Sequence, residues 1–496
     1  MTNEVTYPGK YTLKSVMVYP VDGSSIPLEI SALNPKFNIV ESIKNDSIRG
    51  SMDVLDTVGV LEQYPLRGEE RINLEVEDVL GNNKIYDLFL YRIDNVTTTE
   101  INDGLYYKFH FVSYKRFESD KHKIIKAYET TVSDIVNDVF STYYLGNNGV
   151  SASPFRRITN EMISNIGSVV SDVQDVIGNV TNLLSNNGSE RAGRSSNIIG
   201  GSGVYVEDQR EKSIVVEPTE GPLRLIIPNF TPTRAMKFLE SRAYSTSSPS
   251  CSFRFFESSN AFYFVSDEYI FNNGTQFDFT YSIDIPSTPN YFDIHMNNFY
   301  ELTNTERFDT FNDLHGGGYH NKVIIIDILK RSVNLKDTPW KYTENSANYQ
   351  DLDAEETLSD RHTNNFINQT FTDETAKQFL IVKDYDEQSG GQLRGEQHFS
   401  DIVSNRLAYR HHLNSIVLNT KGHGRLDITC GDVVNMTISE FDSSSNVNEV
   451  NKQLSGRYIV EEVVHIFDKE MSENHYKLMK RNWSEVVSSG IQTGPQ

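Results

Sequence analysis

The first residues whose type and spacing suggest chemistry are four acidic side chains in one short run, Asp351, Asp353, Glu355 and Glu356. Carboxylates at alternate positions are ligands that calcium-binding loops use. An EF-hand loop, however, needs glycine where Glu356 stands, and the bidentate glutamate that closes such a loop is missing. The run therefore indicates a solvated acidic loop, and we expect no calcium site.

Other catalytic and ligand-binding motifs are incomplete because their partner residues are missing. His411 and His412 are adjacent, so they point to different sides of a helix or strand, and no His-Glu-x-x-His pair supplies a zinc site. The glycine runs at 200–203 and 316–318 lack the Lys-Ser/Thr of a phosphate-binding loop, and a Gly-x-Ser-x-Gly nucleophile motif is absent. We therefore predict no catalytic residue, no metal and no cofactor, and expect that the protein is not an enzyme.

Length and composition indicate a globular chain of several domains. The 496 residues correspond to about three domains, and 38% hydrophobic residues are enough to build their cores. The amino terminus has no basic patch followed by an apolar run, and no apolar stretch approaches the roughly 20 residues needed to cross a bilayer. Cys251 and Cys430 are far apart and lack metal-ligand spacing. We expect buried thiols, no signal peptide and no membrane span.

The charge balance bears on partners. The chain has 68 acidic against 46 basic residues, a formal net charge of −22. Proteins that bind duplex DNA neutralise its phosphates with clustered Lys and Arg, so specific DNA binding is not expected. An acidic surface repels DNA, which suits a conduit through which DNA slides, but the same acidity also keeps an abundant protein soluble.

The amino-terminal region has the alternation of a small antiparallel barrel. Ile72, Leu74 and Val76 alternate with polar residues, and residues 85–90 repeat the pattern. The turn residues at 81–83 tolerate the positive φ that tight hairpins need. Near the carboxyl terminus the same logic returns, because strands predicted at 426–438 and 458–480 mirror the earlier hairpin from Tyr91 to Phe111. We infer a second, duplicated barrel.

Between the two predicted barrels, helical and hairpin patterns indicate an α/β region. Thr131 is a predicted N-cap for an amphipathic helix over 132–143, and Thr231 precedes another over 232–243. A hairpin follows over 251–266, with alternating phenylalanines typical of a sheet core. A further helix is expected near 399–411.

One segment has heptad-like spacing. Steps of three and four separate apolar residues from 163 to 184, and β-branched residues in both core positions favour trimers or higher oligomers when a coiled coil forms. The stripe is wide and flanking charges are scarce, which is also typical of a helix lying on its own subunit. A Gly/Ser/Asn-rich linker follows up to residue 203. The candidate helix interface comprises Ile166, Val170, Val173, Ile177 and Val180.

Several of these motifs, in their order along the chain, resemble one family. The segments at 38–43, 48–52 and 61–72, followed by the strands through Tyr91 and Tyr107, resemble the tube-forming domain of baseplate central hub proteins in contractile-tailed, T-even-type bacteriophages. The later order Phe-Leu-x-x-Arg-Ala, Phe-Phe-Glu and Phe-Tyr-Phe-x-Ser, within 238–266, also resembles hub proteins and the hub part of type VI secretion spikes.

The resemblance implies an α+β, mostly β fold, with two small antiparallel β-barrel tube domains, peripheral α/β domains and a ring-forming trimer. The domain boundaries that we predict are 1–115 for the first tube barrel, 116–212 for a helical segment with heptad-like helix and flexible linker, 213–290 for a peripheral α/β domain, 291–335 with 405–485 for the discontinuous second barrel, 336–404 for an insertion and 486–496 for a tail.

The function that the resemblance implies is structural. The expected protein is a virion component of the tail baseplate, assembled in the bacterial host cytoplasm, and a homotrimeric adapter that joins the tail tube to the central spike. Its expected partners are the spike, the tail tube or tube-initiator protein, the tape measure protein and the baseplate wedge proteins, with DNA passing through a channel without specific binding. Two alternatives stay open: a secretion-system spike, and a cell-wall-degrading or glycan-binding tail protein whose site lies in the insertion.

Overall fold

The computed structural model describes residues 7–19, 21, 27–64, 66–99, 104–145, 212–247, 252–281, 291–306, 320–327, 331–339, 377–382, 416–439, 450–451 and 454–480. Several predicted features lie outside these residues: the heptad segment with its candidate interface, the acidic run, the histidine pair, the glycine runs, Cys251 and the helix near 399–411. Among the described residues, no helix has the length and apolar character that a membrane span requires.

Strands dominate the described chain. They are β1 (Tyr11–Tyr19), β2 (Leu28–Glu29), β3 (Lys36–Ser42), β4 (Arg49–Asp56), β5 (Arg71–Asp78), β6 (Asn83–Thr99), β7 (Gly104–Ser113), β8 (Ile124–Thr130), β9 (Ile214–Val216), β10 (Leu223–Phe230), β11 (Phe253–Glu257), β12 (Phe262–Ser266), β13 (Phe277–Tyr281), β14 (Glu301–Glu306), β15 (His320–Asp327), β16 (Ser332–Pro339), β17 (Lys377–Val382), β18 (Ile416–His423), β19 (Val433–Ile438), β20 (Gly456–Asp468) and β21 (Met471–Lys480). The α-helices are α1 (Val60–Gln63), α2 (Tyr114–Asp120), α3 (Val132–Tyr143), α4 (Pro232–Glu240), α5 (Asp267–Asn272) and α6 (Tyr291–Met296), and Ser31–Leu33 forms a 3-10 helix.

A single long sheet organises the molecule. Its strand order is β14-β18-β21-β20-β3-β4-β7-β6-β5-β1-β2, with β19 attached to β20 and β13 attached to β19. Every pairing in this sheet is antiparallel except that of β13 with β19. The mostly β, antiparallel character predicted from the sequence is therefore confirmed. No closed barrel forms among the described strands, so the two barrels remain a prediction.

The long sheet contains the same five-stranded arrangement twice. The first repeat has the order β5-β6-β7-β4-β3, and the second repeat has β19-β20-β21-β18-β14. A bulge interrupts β6 and β7 between Leu90 and Arg92, and a bulge interrupts β20 and β21 between Val460 and Glu462. Tyr91 therefore corresponds to Glu461, and the two repeats agree even in the position of this bulge.

The core of the first repeat follows from the alternation that the sequence predicts. Ile72, Leu74 and Val76 on β5 are fully buried, while the residues between them are partly exposed. Gly81, with φ of 86°, occupies the turn between β5 and β6, where a left-handed conformation favours glycine. The alternating pattern thus selects which face of each strand packs into the core.

An α/β unit lies against the long sheet. As predicted, Thr131 and Thr231 are N-caps, whose side chains accept hydrogen bonds from the backbone N–H groups of Asp134 and Arg234. Helix α4 ends at Glu240, three residues earlier than predicted. The unit also contains the two-stranded sheet β8-β10 and the three-stranded sheet β11-β12-β9.

The predicted hairpin forms as β11 and β12, but both of its faces are buried. Phe255 packs among α3 and α4, whereas Phe256 packs against the second repeat near Cys430 and Val433. The alternation of phenylalanines predicted only one buried face. Because the hairpin lies between the helices and the long sheet, the second face is buried as well.

Strands β15, β16 and β17 form a sheet of their own. β15 pairs antiparallel with β16 and parallel with β17. The predicted boundaries group residues up to 335 with the second barrel, yet the described pairings do not connect β15 and β16 to the long sheet. The domain boundaries stay a prediction.

Candidate functional site: the repeat joint and the polar face

The two repeats meet along one antiparallel strand pair, which we call the repeat joint. β3 of the first repeat pairs with the second half of β20, from Ser42 opposite Glu462 to Phe37 opposite Phe467. The rings of Phe37 and Phe467 stack with centroids 4.5 Å apart, and Tyr11 contacts Phe467 edge-on at 4.9 Å. Backbone pairing and an aromatic contact therefore make the two repeats one continuous sheet.

A buried carboxylic acid lies beside this joint. Glu41, on β3, is fully buried, and its Oε2 accepts a hydrogen bond of 2.9 Å from the Ser259 N–H in the β11–β12 turn. Burial raises the pKa of Glu41, although the Ser259 N–H and the positive charges of Lys212 and Lys84 oppose this shift. The Tyr86 hydroxyl lies 3.5 Å from Glu41 Oε1. Glu41 thus connects the first repeat to the α/β unit.

A buried histidine lies directly across the joint. His465 Nδ1 lies 2.9 Å from the Asn474 Oδ1, and its Nε2 is 3.9 Å from Glu41 Oε1. Since the Asn474 amide donates to the Arg425 carbonyl and the Tyr476 hydroxyl, its oxygen is the acceptor, and Nδ1 of His465 carries the proton. Burial lowers the pKa of His465 to about 4, so the imidazole is neutral at pH 7.

A second buried acid holds the α/β unit against the first repeat. Glu257, at the end of β11, accepts hydrogen bonds from the Ser113 hydroxyl at 2.9 Å and from the Ile48 N–H at 3.3 Å. Lys212 Nζ lies 2.7 Å from the same carboxylate. Because every charge here has a partner, the contact stabilises one arrangement of the two bodies.

Two further acids anchor neighbouring elements. Asp78, the last residue of β5, accepts a 2.9 Å hydrogen bond from the Leu426 N–H of the carboxyl-terminal region. The Asp46 carboxylate forms an ion pair with the Arg116 guanidinium, and Nζ of Lys237 on α4 lies 3.4 Å from Asp46 Oδ2. Burial alone would raise the pKa of Asp46, but these cations and Arg49 hold it below its ordinary value. The repeats and the α/β unit are therefore fixed to one another by buried polar contacts.

The long sheet presents one mostly polar surface to solvent, which we call the polar face. Cross-strand pairing and alternation place the following half-buried or exposed side chains on it: Asn38, Asp53, Arg92, Asp94, Thr97, Lys108, His110, Glu301, Thr303, Asn419, Lys421, Glu462, Glu473, His475 and Lys477. The face continues across the repeat joint without interruption, because β3 and β20 are paired there.

Acidic partners neutralise the basic groups of the polar face. Lys108 Nζ lies 3.5 Å from Asp53, and Arg92 lies 2.9 Å from Asp94. In the second repeat, Lys421 Nζ lies 2.6 Å from Glu301. Exposed pairs of this kind add little stability. They do, however, leave few basic groups available to bind phosphate.

The buried groups do not form an active site. Glu41 and His465 are at most 1% exposed, so no substrate reaches them in this conformation. Within the part of the chain that the structure describes, no cluster of three potential metal ligands exists. Cys430 is a buried free thiol, as predicted, and burial raises its pKa well above the ordinary value, which disfavours the thiolate form.

The sequence did not single out the residues that join the repeats. Glu41, His465 and Glu257 were not predicted as site residues. A signal did exist for Glu41, because it falls on the buried side of the alternation begun by Phe37 and Ile39. A polar residue in a buried register indicates a specific partner, but the partner lies more than 400 residues away in sequence. The predicted interface residues 166–180 lie outside the described residues.

Comparison with known proteins gives structural relatives only. No protein-family model matches the chain, and no curated protein matches it. The chain is similar to a tail protein of Neisseria meningitidis, with 8% identity, TM-score 0.46, and coverage of 96% of this chain and 98% of that one. A 43 kDa tail protein of prophage MuSo2 from Shewanella oneidensis gives 8% identity, TM-score 0.46, and coverage of 94% and 98%.

A third relative is an Escherichia coli component of the type VI secretion system, described as structurally similar to the T4 bacteriophage tail proteins gp27 and gp5. It gives 8% identity, TM-score 0.38, and coverage of 96% of this chain and 78% of that one. These structural neighbours are two phage or prophage tail proteins and one component of the type VI secretion system.

Proposed function

We propose that this chain is a structural baseplate hub of a phage contractile tail, a trimeric adapter that joins the tail tube to the central spike. The observation that carries the proposal is the pair of five-stranded repeats joined edge to edge in one sheet. A unit that already joins to its own copy within one chain is suited to build a ring from several chains. The hub resemblance of the sequence motifs supports the same assembly.

The symmetry of such a ring explains why the repeat is useful. Three chains with two repeats each present six similar units, which match a sixfold tube on one side. The described α/β unit occurs once per chain, so it follows threefold symmetry and suits a threefold spike. The tape measure protein and the baseplate wedge proteins are further proposed partners, and the proposed location is the tail baseplate of the virion, after assembly in the host cytoplasm.

The polar face supports a role as part of the DNA channel. Its acidic and basic side chains are paired with one another, and the whole chain carries a net charge of −22. DNA that must slide past a surface is not held there when basic groups are already neutralised. We place this face toward the channel of the trimer.

Electron microscopy of the purified chain, alone and with its spike, tests the proposal. We expect particles with a central hole and about six similar lobes in end view. Particles without a hole under both conditions would contradict the adapter role. Sustained cleavage of purified peptidoglycan would instead favour the cell-wall-degrading alternative.

A further inference from the structure

The internal repeat leaves two strand edges without the partner that their counterparts have. In the second repeat, β19 covers the first half of one edge of β20, and β3 covers the second half. In the first repeat, β5 covers the first half of the equivalent edge of β6, but no described strand covers residues 92–99. Likewise β14, the counterpart of β3, pairs only with β18 among the described strands.

We propose that β14 of one copy pairs antiparallel with the second half of β6 in the next copy, and that this seam closes the ring. The inference rests on the proposed trimer and specifies which surfaces form it. The occupant is a second copy of this chain, because the intrachain joint of β3 with β20 is the same contact between equivalent strands. An edge of this length that no described strand covers is otherwise a risk for uncontrolled association.

The register of the seam follows from the repeat. In the first repeat, Thr97 of β6 lies opposite Tyr106 of β7, and in the second repeat Ile466 of β20 lies opposite Glu473 of β21 at the equivalent position. In the same way, Thr303 of β14 lies opposite Asn419 of β18, and Asn38 of β3 lies opposite Ser51 of β4. These relations make Thr97 the counterpart of Ile466, and Thr303 the counterpart of Asn38. Since Ile466 pairs with Asn38 within the chain, Thr97 should pair with Thr303 of the next copy.

An independent irregularity agrees with this register. Relative to its counterpart β20, β6 has one extra residue between Asp94 and Thr97. Relative to its counterpart β3, β14 has one extra residue between Asn304 and Glu306. With Thr97 opposite Thr303, the two extra residues face each other, and the strands pair without a break from residue 94 opposite 306 to residue 99 opposite 301. Two bulges that each disturb one repeat thus fit together at the seam.

The pairing also respects the faces of the sheet. Thr97 and Thr303 are both exposed and both belong to the polar face, so the seam continues that face from one copy to the next. A register shifted by one residue would put Thr97 opposite Leu302, which is partly buried against the core of the second repeat.

Disulfide trapping tests the seam. In a Thr97→Cys, Thr303→Cys double variant, mild oxidation should give covalent dimers and trimers on a non-reducing gel. The matched control is Asn38→Cys with Ile466→Cys, which should crosslink within one chain and leave its mass unchanged. The off-register control, Thr97→Cys with Leu302→Cys, should not crosslink between chains.

The outcomes separate the seam from the proposed function. A protein that is trimeric by light scattering, but crosslinks only in the intrachain control, would overturn the seam and leave the hub proposal standing. A protein that stays monomeric alone and with its spike would overturn both. Should the intrachain control fail to oxidise, charge variants decide: Thr97→Lys with Thr303→Lys should weaken the trimer, and Thr97→Lys with Thr303→Glu should restore it. Equal trimer stability of these two variants would contradict the seam.

Discussion

At the scale of single residues, buried polar groups determine how the two repeats and the α/β unit fit together. Glu41, His465 and Glu257 are almost fully buried, and each contacts a body other than its own. Burying such groups costs free energy unless each has a partner, so they contribute more to a unique arrangement than to stability. Sequence patterns locate a buried position, but they do not identify a partner that is distant in the chain.

The neutral His465 predicts a loss of stability in acid. Its pKa in the folded chain is about 4, below the ordinary 6.5, so the unfolded chain binds a proton first as the pH falls. The stabilisation is complete above pH 6.5 and should decrease by about 3 kcal/mol as the pH falls to 4. Burial raises the pKa of Glu41, and that of Asp432 to about 6, and both shifts act in the opposite direction.

A His465→Gln variant isolates this contribution, because the amide retains a donor for Asn474 but does not titrate. Urea unfolding at pH 7 and at pH 4.5 measures the free energy of unfolding of both proteins. We expect the parent to lose more stability than the variant between these two pH values. Equal losses would show that His465 does not titrate as described.

At the scale of elements, the sequence predicts the helices and hairpins formed by neighbouring residues, but it does not predict which distant strands pair. Helix α3 begins and ends where predicted, because its N-cap and apolar stripe are properties of adjacent residues. The hairpins of the first repeat follow from alternation and turn residues. The pairing of β3 with β20 joins segments more than 400 residues apart, and neither strand carries a sequence signal that names the other. The similarity of two hairpins predicts a duplicated barrel, but the five-stranded order that repeats appears only in the structure.

The close packing of β4 predicts a severe effect at Gly50. A Cβ atom at this position would overlap with the Asn38 carbonyl oxygen and with the Phe111 ring. Gly50→Ala should therefore destabilise the chain by about 3 kcal/mol or more, since strands on both sides must move. Gly81→Ala is the control, because no atom lies within 4 Å of its added Cβ and only the positive φ opposes it, at about 1 kcal/mol. Thermal unfolding that ranks the two variants in the opposite order would contradict the packing.

The heptad segment predicts a result that separates assembly by sheets from assembly by a coiled coil. In a Val173→Asp, Ile177→Asp double variant, an intersubunit coil would bury unpaired charge at three equivalent places. We expect the variant to remain trimeric, because the proposed ring is held by the repeats. Sedimentation velocity of the variant and the parent under the same conditions provides the measurement, and a purely monomeric variant beside a trimeric parent would show that the segment drives assembly.

At the scale of the whole molecule, composition predicts a surface that does not bind DNA, but it does not show where on the molecule that surface lies. The net charge of −22 argued against DNA binding from the sequence alone. Where basic groups are neutralised depends on cross-strand neighbours such as Asp53 and Lys108, which are far apart in sequence. The polar face could therefore be described only once the strand order was known.

Neutralisation on the polar face predicts how the protein responds to DNA. The parent should not shift duplex DNA in a gel at about 50 mM salt, whereas an Asp53→Asn, Asp94→Asn, Glu301→Gln variant should bind it with a steep salt dependence. The difference arises because the variant leaves Lys108, Arg92 and Lys421 without their acidic partners. Tight DNA binding by the parent would be incompatible with a sliding surface.

The central claim, that this chain closes into a ring of three copies, is tested most directly by its mass in solution. Multi-angle light scattering during gel filtration, with the chain alone and with its spike, gives that mass without reference to shape. The account predicts three copies of the 56.5 kDa chain in at least one of the two conditions, which is about 170 kDa for the chain alone and that mass plus the mass of the spike for the complex. A stable 56.5 kDa monomer in both would contradict it.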